Sequence, residues 1–308
     1  MRAPDFWTQE GFYATLLSPA ATVYELCTQV HKGLTRPVQA PIPVVCIGNL
    51  TVGGTGKTPV ALSIADHLKA NGRNVHFLTR GYRGRLSGPV AVDPINHSVR
   101  EVGDEALLLA RTTKTWVARD RALGANAAAA DGADIIVMDD GFQNPSLIKD
   151  LSIVVVDAGY GFGNCRLLPS GPLRENLSRG LARAHAVIFI EDPVANNVMQ
   201  IPQGADPPWF AARLAPGQEA LRFAEQKIIA FAGIGRPQKF FDTLKSLGAR
   251  VVMAKAFPDH HSYDADDVMR LVEIASETGS TLVTTEKDRV RLPPEARGMV
   301  EVVRVYVE

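Results

Sequence analysis

The sequence predicts an α/β protein built from a mostly parallel sheet domain, a second, smaller α/β domain and an N-terminal amphipathic helical arm. Three observations predict it. From residue 43 onward, apolar runs of three to seven residues alternate with longer amphipathic stretches. Short strands separated by helices pair in parallel and are covered on both faces. The alternation lapses over residues 193–226, which are rich in Pro, Gly and Gln, as expected of a connection between domains. Residues 1–40 stand apart, with clustered aromatics followed by Pro37 and then Pro41 and Pro43, which break a helical pattern.

In the arm (residues 1–40), Phe6, Trp7, Phe12, Tyr13, Leu16 and Leu17 precede Ser18 and Pro19. A helix over about 20–33 then places Val23, Leu26, Cys27 and Val30 on one face. Such a face either packs on its own domain or lies in a membrane interface. The charges of the arm (Arg2, Lys32 and Arg36 against Asp5, Glu10 and Glu25) balance, so this segment alone attracts anionic lipid weakly. The domain spanning 41–215 opens with a strand at 44–47, a Gly-rich turn and a helix over 57–71. A strand at 75–78 leads into a basic loop at 80–85, Arg-Gly-Tyr-Arg-Gly-Arg. A helix at 104–111, a strand at 115–118, an Ala-rich helix at 119–130 and strands at 135–138, 153–156 and 186–190 follow. Within 193–226 only residues 209–214 look strand-like. The domain spanning 216–308 holds strands at 228–231, 251–253, 282–284 and 302–307, with helices from about 237 and over about 265–277.

Composition narrows the function classes. A chain of 308 residues with 46% hydrophobic and 21% charged residues has enough apolar content for two cores. Lys plus Arg equals Asp plus Glu, so there is no global electrostatic case for nucleic-acid binding. Cys27, Cys46 and Cys165 form no CxxC pair and no zinc spacing, which fits reduced thiols in the cytosol. No apolar run is long enough to span a bilayer. The N-terminus carries Asp5, Gln9 and Glu10 among its aromatics, unlike a signal peptide. The expected location is the cytosolic side.

The sharpest chemical signal is residues 47–59, Ile-Gly-Asn-Leu-Thr-Val-Gly-Gly-Thr-Gly-Lys-Thr-Pro. It follows a predicted strand and opens a predicted helix, the context of a P-loop. There Thr51, Val52, Gly53, Gly54, Thr55, Gly56, Lys57 and Thr58 cradle a nucleotide's phosphates with backbone N–H groups and a helix N-terminus. Lys57 reaches the β/γ-phosphates and Thr58 ligates Mg²⁺. The usual first glycine of the motif is Thr51 here; Gly53, Gly54 and Gly56 partly compensate. The bland alternative is a Gly-rich turn with a chance Gly-Lys-Thr. A P-loop needs a neighbouring acid, and residues 134–143, Asp-Ile-Ile-Val-Met-Asp-Asp-Gly-Phe-Gln, supply an apolar strand ending in Asp139 and Asp140. This is the position of a metal-holding Walker-B acid, or else of two solvated turn caps. The fold expected is therefore a P-loop NTPase-type α/β domain with ATP and Mg²⁺ as cofactors.

Three further segments carry weaker signals. Gly103-Asp104-Glu105 precedes a helix, where acid in the first turn is an ordinary capping feature or Asp104 is the base for an acceptor hydroxyl. In residues 167–175, Leu-Leu-Pro-Ser-Gly-Pro-Leu-Arg-Glu, Arg174 neutralises phosphate charge and Glu175 serves the metal, or the two form a solvated ion pair. In residues 257–263, Phe-Pro-Asp-His-His-Ser-Tyr, the histidines are surface residues or relay a proton to a carboxylate.

Taken together, the segments Val-Gly-Gly-Thr-Gly-Lys-Thr-Pro (52–59), 80–85, 103–105, Asp-Asp-Gly-Phe-Gln (139–143), 167–175, 257–263 and Thr-Thr-Glu-Lys-Asp (284–288) resemble, in order, the tetraacyldisaccharide 4'-kinases of lipid A biosynthesis. The resemblance spans almost the whole chain. It implies transfer of the ATP γ-phosphoryl group to the 4'-hydroxyl of a tetraacylated glucosamine disaccharide 1-phosphate, giving the 1,4'-bisphosphate lipid IVA. It implies work at the cytosolic face of the bacterial inner membrane, with the arm as the membrane-associating helix; no protein partner is inferred. By the same resemblance, Lys57 and Thr58 bind phosphates and Mg²⁺, and Asp139, Asp140 and Glu175 surround the metal. The resemblance also implies that Asp104 is the catalytic carboxylate, working with His260 or else with His261. Arg119, Arg121 and Arg174 are candidates for the transferring oxygens, and Arg80, Arg83 and Arg85 for the acceptor's own phosphate. Two rivals remain at this point. A ParA/MinD-like ATPase switch shares the Gly-Gly-x-Gly-Lys-Thr loop but carries a Lys before the glycine pair, where this chain has Val52. A soluble small-molecule kinase would not need the arm.

Overall fold

The computed structural model describes residues 4–191 and 206–308; the part of the expected connection over 193–205 lies outside them. The chain forms two compact units, one running to Leu214 and including the last two residues, the other Ala215–Tyr306.

In the larger unit, β1 (Val44–Gly48), β2 (Val75–Thr79), β3 (Val90–Ala91), β4 (Thr115–Val117), β5 (Ile135–Asp139), β6 (Leu151–Asp157), β7 (Ala186–Ile190) and β8 (Trp209–Ala212) form one sheet. Its order is β3-β4-β2-β5-β1-β6-β7-β8. Strand β3 runs antiparallel to β4; the other pairings are parallel. The β1 residues are all buried because each strand face meets a core. Val44 and Cys46 join Ile136, Met138, Val154 and Val187 on one side. Val45 and Ile47 join Val60, Ala61, Phe77, Val137 and Val155 on the other. Each buried Val, Ile, Phe or Met side chain contributes ~1.5–3 kcal/mol, so the centre of the sheet is firmly fixed. That centre carries the site. Strand β1 lies between β5 and β6, and in open parallel sheets ligands bind beyond the carboxyl ends of the strands.

The helices of this unit are α1 (Phe12–Leu16), α2 (Ser18–Leu34), α3 (Lys57–Ala70), α4 (Val99–Val102), α5 (Asp104–Leu109), α6 (Arg121–Ala130) and α7 (Leu177–Leu181). Helix α2 starts with Ser18 and a Pro in its first turn, two residues before the helix expected from the sequence. It docks through polar contacts. The Tyr24 hydroxyl donates to the Arg174 carbonyl at 3.1 Å, and Lys32 Nζ lies 2.8 Å from Glu175. The apolar face turns outward, with Val23 61% and Leu26 62% exposed, and Phe12, Tyr13, Leu16, Val30 and Leu34 also exposed. The arm therefore packs on its own unit by a polar seam and leaves its apolar face unburied. Among the described residues, no helix is long and apolar enough to cross a membrane.

One sequence expectation is corrected here. The strand-like piece at 209–214 is not merely part of a connection: β8 is the edge strand of the large sheet, paired with β7, and Trp209 packs near Phe162 and Phe189.

The chain crosses between units within β9 (Leu214–Pro216) and β14 (Val305–Val307). The smaller unit contains β10 (Lys227–Ala232), α8 (Pro237–Ser246), β11 (Arg250–Ala256), α9 (Ala265–Thr278), β12 (Thr281–Thr285), α10 (Glu286–Arg289) and β13 (Glu301–Val303). Its sheet order is β11-β10-β12-β13, all parallel. Asp264 caps α9 by accepting from the Asp267 N–H, and Gly279 ends the helix in the left-handed region. The tail expected as one strand over 302–307 is two, β13 and β14, separated at Arg304.

Candidate active site

The Gly-rich segment leaves the end of β1 and enters α3 at Lys57. Gly56 caps the helix with φ 86°, a left-handed conformation that glycine adopts without steric cost. At the strand end, a Cβ on Gly48 would lie 2.4 Å from Phe142 Cβ, so only glycine lets β1 run this close to the loop after β5. The segment at 167–175 is stitched to the phosphate loop. Val52 N–H donates to the Pro172 carbonyl at 2.9 Å and Arg174 N–H to the Leu50 carbonyl at 2.8 Å, and Thr51 bridges Leu173.

Strand β5 delivers Asp139 beside α3. The Thr58 hydroxyl donates to Asp139 Oδ2 at 3.0 Å, while Asp139 Oδ1 is buried with no hydrogen-bond partner. Burial pushes the Asp139 carboxyl well up, and the charges of Glu105 and Asp140 add to it; Lys57 and Thr58 oppose the rise. Asp140 follows in the left-handed region, with φ 55°. Arg174 Nη1 donates to its Oδ1 at 3.0 Å, and Lys57 Nζ lies 3.8 Å away. Burial raises the Asp140 carboxyl, but Lys57 and Arg174 outweigh it and hold it below the ordinary carboxylate range.

A buried carboxylate oxygen without a donor, beside a hydroxyl and a second carboxylate, is a set of hard oxygen ligands that suits Mg²⁺. Among the described residues, no three His, Cys, Asp or Glu side chains converge on one point. Mg²⁺ is commonly held by one or two carboxylates and completes its shell with waters and substrate phosphate oxygens.

Glu175 has other partners. It is buried, paired with Lys32 at 2.8 Å and with Arg183, and accepts from Gln143 at 3.1 Å. Burial raises its carboxyl, and Lys32 and Arg183 outweigh that and keep it ionised. Both of its oxygens thus already accept from neighbouring side chains. Gln143 also donates to the Asn49 carbonyl at 2.8 Å and touches Arg174 at 3.5 Å. A continuous polar chain therefore runs from Lys32 on α2, through Glu175, Gln143, Arg174 and Asp140, to Lys57.

Asp104 is the first residue of α5 and only 2% exposed. Its Oδ1 accepts from Glu105 N–H at 3.0 Å. Gly103 precedes it at φ 88°, where a Cβ would meet the Tyr82 carbonyl at 2.4 Å. The basic loop is thus pressed against the start of α5. Within that loop Arg85 pairs with Glu101 at 2.9 Å, and Arg83 lies over the Tyr82 ring. Arg119 contacts the Gly84 carbonyl at 3.5 Å. Arg121 is buried with Nε unpartnered; burial, and then Arg80 nearby, bring its pKa down to about 10.

In the smaller unit, His260 has φ 58° and its Nδ1 lies 3.2 Å from Arg291 Nη2. His261 sits 2.7 Å from Asp267 and stacks on Phe257. The two histidines have different surroundings, and His260 belongs to a buried polar cluster.

Some neighbours of these residues were not singled out in the sequence. Gln143 stands in the Asp-Asp-Gly-Phe-Gln segment without an assigned role. Asn49 is buried in the loop with Oδ1 unpartnered, as is Oγ1 of the expected cradle residue Thr55, the pattern of groups kept for a ligand. Lys32 and Arg183 carry no local signal.

A strand–loop–helix turn with a hydroxyl–carboxylate pair at the end of the adjacent strand is the layout of the P-loop NTPase class. Comparison with known proteins gives the family. The family model described as "Tetraacyldisaccharide-1-P 4'-kinase" matches residues 13–308, and the chain belongs to that family. It is 53% identical over 309 residues to the tetraacyldisaccharide 4'-kinase of Rhodospirillum rubrum, covering 100% of this chain and 93% of that one. It is 51% identical over 307 residues to the enzyme of the same name from Gluconacetobacter diazotrophicus, covering 99% and 93%. A crystal structure of LpxK from Aquifex aeolicus in complex with ATP superposes with TM-score 0.77 at 28% identity, covering 96% of this chain and 95% of that one. Family membership decides against the ATPase-switch and soluble-kinase readings: the chain is a kinase, with an alcohol as phosphoryl acceptor.

Proposed function

We propose that this chain transfers the γ-phosphoryl group of ATP to the 4'-hydroxyl of a tetraacylated glucosamine disaccharide 1-phosphate, giving the 1,4'-bisphosphate. Among the structural features, the Thr58–Asp139 hydrogen bond at the mouth of the phosphate loop carries this reading. Phosphoryl transfer is chiefly positioning and charge neutralisation. Residues 51–58 hold the phosphates through backbone N–H groups, and Lys57 leaves Asp140 for the β/γ-oxygens. Arg174, tethered beside Asp140, adds positive charge, as does Arg121 with its unpartnered Nε. Thr58 and Asp139 would hold Mg²⁺, with Asp140 beside them; when bound, the ion neutralises charge on the phosphate oxygens. Asp104 takes the proton of the acceptor hydroxyl, and His260 assists it. Arg80, Arg83 and Arg85 engage the acceptor's phosphate.

The acceptor is anionic and greasy, so we place the enzyme peripherally at the cytosolic face of the bacterial inner membrane. The outward apolar residues of α1 and α2 support this, because an exposed apolar face on an amphipathic helix suits the headgroup–acyl boundary.

The test is incubation with labelled ATP and a panel of acceptors, with and without the tetraacyl disaccharide 1-phosphate. Label should appear in the disaccharide and depend on it. Equal ATP hydrolysis with and without the disaccharide, with no label in lipid, would overturn the reading.

A further inference from the structure

The smaller unit holds a buried polar cluster that the roles above leave without a purpose. Its centre is Asp288, the last residue of the Thr-Thr-Glu-Lys-Asp segment and wholly enclosed. The Thr285 hydroxyl donates to Asp288 Oδ2 at 2.6 Å. Oδ1 accepts from the Gly233 N–H at 2.9 Å, the Tyr263 hydroxyl at 2.9 Å and Arg291 Nη1 at 3.0 Å. A carboxylate and a guanidinium shut away from water persist together only when such donors and acceptors are matched.

Arg291 is fixed at one end by this arrangement. Its Nη1 also donates to the Gly233 carbonyl at 2.6 Å. Its other arm, Nη2, lies 3.2 Å from His260 Nδ1. A guanidinium stays protonated and has no acceptor capacity, so it can only donate. Nδ1 of His260 is therefore the acceptor and bears no proton, and the neutral ring carries its proton on Nε2. The backbone reinforces the placement. His260 occupies φ 58°, a region that non-glycine residues seldom adopt and that persists where surroundings over-determine it. Its N–H donates to the Gly233 carbonyl at 3.0 Å, the same oxygen that holds Arg291. A Cβ on Gly233 would crowd the Pro258 carbonyl and the Tyr263 hydroxyl at 3.0 Å each, so the hub is a glycine.

We propose that Arg291, anchored by Asp288, is a positioning residue for the kinase reaction, locking His260 in its Nε2–H form so that His260 serves as a hydrogen-bond donor and not as a proton acceptor. This rests on the role proposed for His260 and deepens it. A general base needs a ring nitrogen with an available lone pair. The Nδ1 pair is committed to Arg291, and Nε2 already bears the proton. As the acceptor oxygen bonds to the γ-phosphorus and the bond to the ADP oxygen breaks, the hydroxyl proton goes to a carboxylate, the role proposed for Asp104. The Thr-Thr-Glu-Lys-Asp segment thereby gains a purpose, because Thr285 and Asp288 set the guanidinium that sets the imidazole.

Imidazole nitrogens report their protonation directly in ¹⁵N NMR of the full-length protein, with the His260 signals assigned by their loss in His260→Gln. The expected pattern is a neutral ring protonated at Nε2. A ring protonated at Nδ1 would overturn the lock whatever the kinetics show. Arg291→Lys keeps a cation beside Asp288 but lacks the second arm; it should give mixed tautomers and lower kcat roughly 10-fold, with the KM for ATP nearly unchanged. Should that variant not fold, the wild-type spectrum still decides. Kinetics test the role separately. A Gln amide donates from near the position of Nε2, so His260→Gln should keep turnover within roughly 10-fold of wild type, while His260→Ala falls roughly 10²-fold or more. Gln as inactive as Ala would refute the donor role. Full activity in both would remove His260 from the reaction and overturn the positioning role of Arg291.

Discussion

The Thr58 hydroxyl donates to Asp139 Oδ2 at 3.0 Å while the other oxygen of that carboxylate is buried and unpartnered. Thr58 lies in the first turn of α3 and Asp139 closes β5, so the contact joins the end of the Gly-rich loop to a neighbouring strand of the sheet. Thr58→Val keeps the shape and removes the hydroxyl, leaving Asp139 with less compensation. Turnover should fall roughly 10²-fold or more, and stability by about 1–3 kcal/mol. Thr58→Ser should restore most of both. Initial rates and urea midpoints for the three proteins check this; a fully active Thr58→Val would exclude a part for the hydroxyl in holding the ion.

Gly103 sits at φ 88° with the Tyr82 carbonyl where a Cβ would go. Gly103→Ala should therefore destabilise by more than about 1 kcal/mol and shift Asp104, the next residue. Asp104→Ala, by contrast, should lower kcat with little change in melting temperature. Thermal melts beside kcat separate the two; a Gly103→Ala protein with normal stability would contradict the close packing of this turn.

Deleting the arm would also strip Lys32 from the buried Glu175, so loss of the arm confounds membrane binding with folding. Substitution on its outer face avoids this. Leu26→Ser with Val23→Ser alters exposed side chains and should change stability by no more than about 0.5 kcal/mol per site, yet reduce co-flotation with vesicles of anionic phospholipid. Unchanged flotation would refute the membrane role of α2.

Asp104 and His260 are proposed to serve one proton transfer, and residues acting as a unit are non-additive on mutation. Each Ala variant should lower kcat strongly with a much smaller change in ATP affinity, and the double variant should be little worse than the worse single. Fully additive losses in log kcat would separate the two roles.

Much of the fold was legible because its strands are short apolar runs buried on both faces. Residues 44–47 and 135–138 mark β1 and β5 to within a residue, and Gly-Lys-Thr marks the start of α3. What escaped depended on distant pairing. Strand β8 is partly exposed at a sheet edge, and its identity comes from β7 rather than from its own pattern. The break at Arg304 between β13 and β14 has no Gly or Pro to announce it. In the site, the Gly-rich loop and the acids beside it were visible in their motifs, but their tethers were not. Lys32 meets Glu175 across 143 residues of sequence, and Arg291 meets His260 across 31. Such contacts are set by packing, which no local spacing encodes.

The central claim is that phosphate held in the loop at 51–58 is passed to a lipid hydroxyl. The most direct measurement is transfer of label from γ-labelled ATP to the tetraacyl disaccharide 1-phosphate by wild type and Lys57→Ala, with circular dichroism of both. Wild type should label the disaccharide, and Lys57→Ala should fold normally and lose roughly 10³-fold or more in rate. A folded Lys57→Ala protein with near-normal transfer would contradict the account.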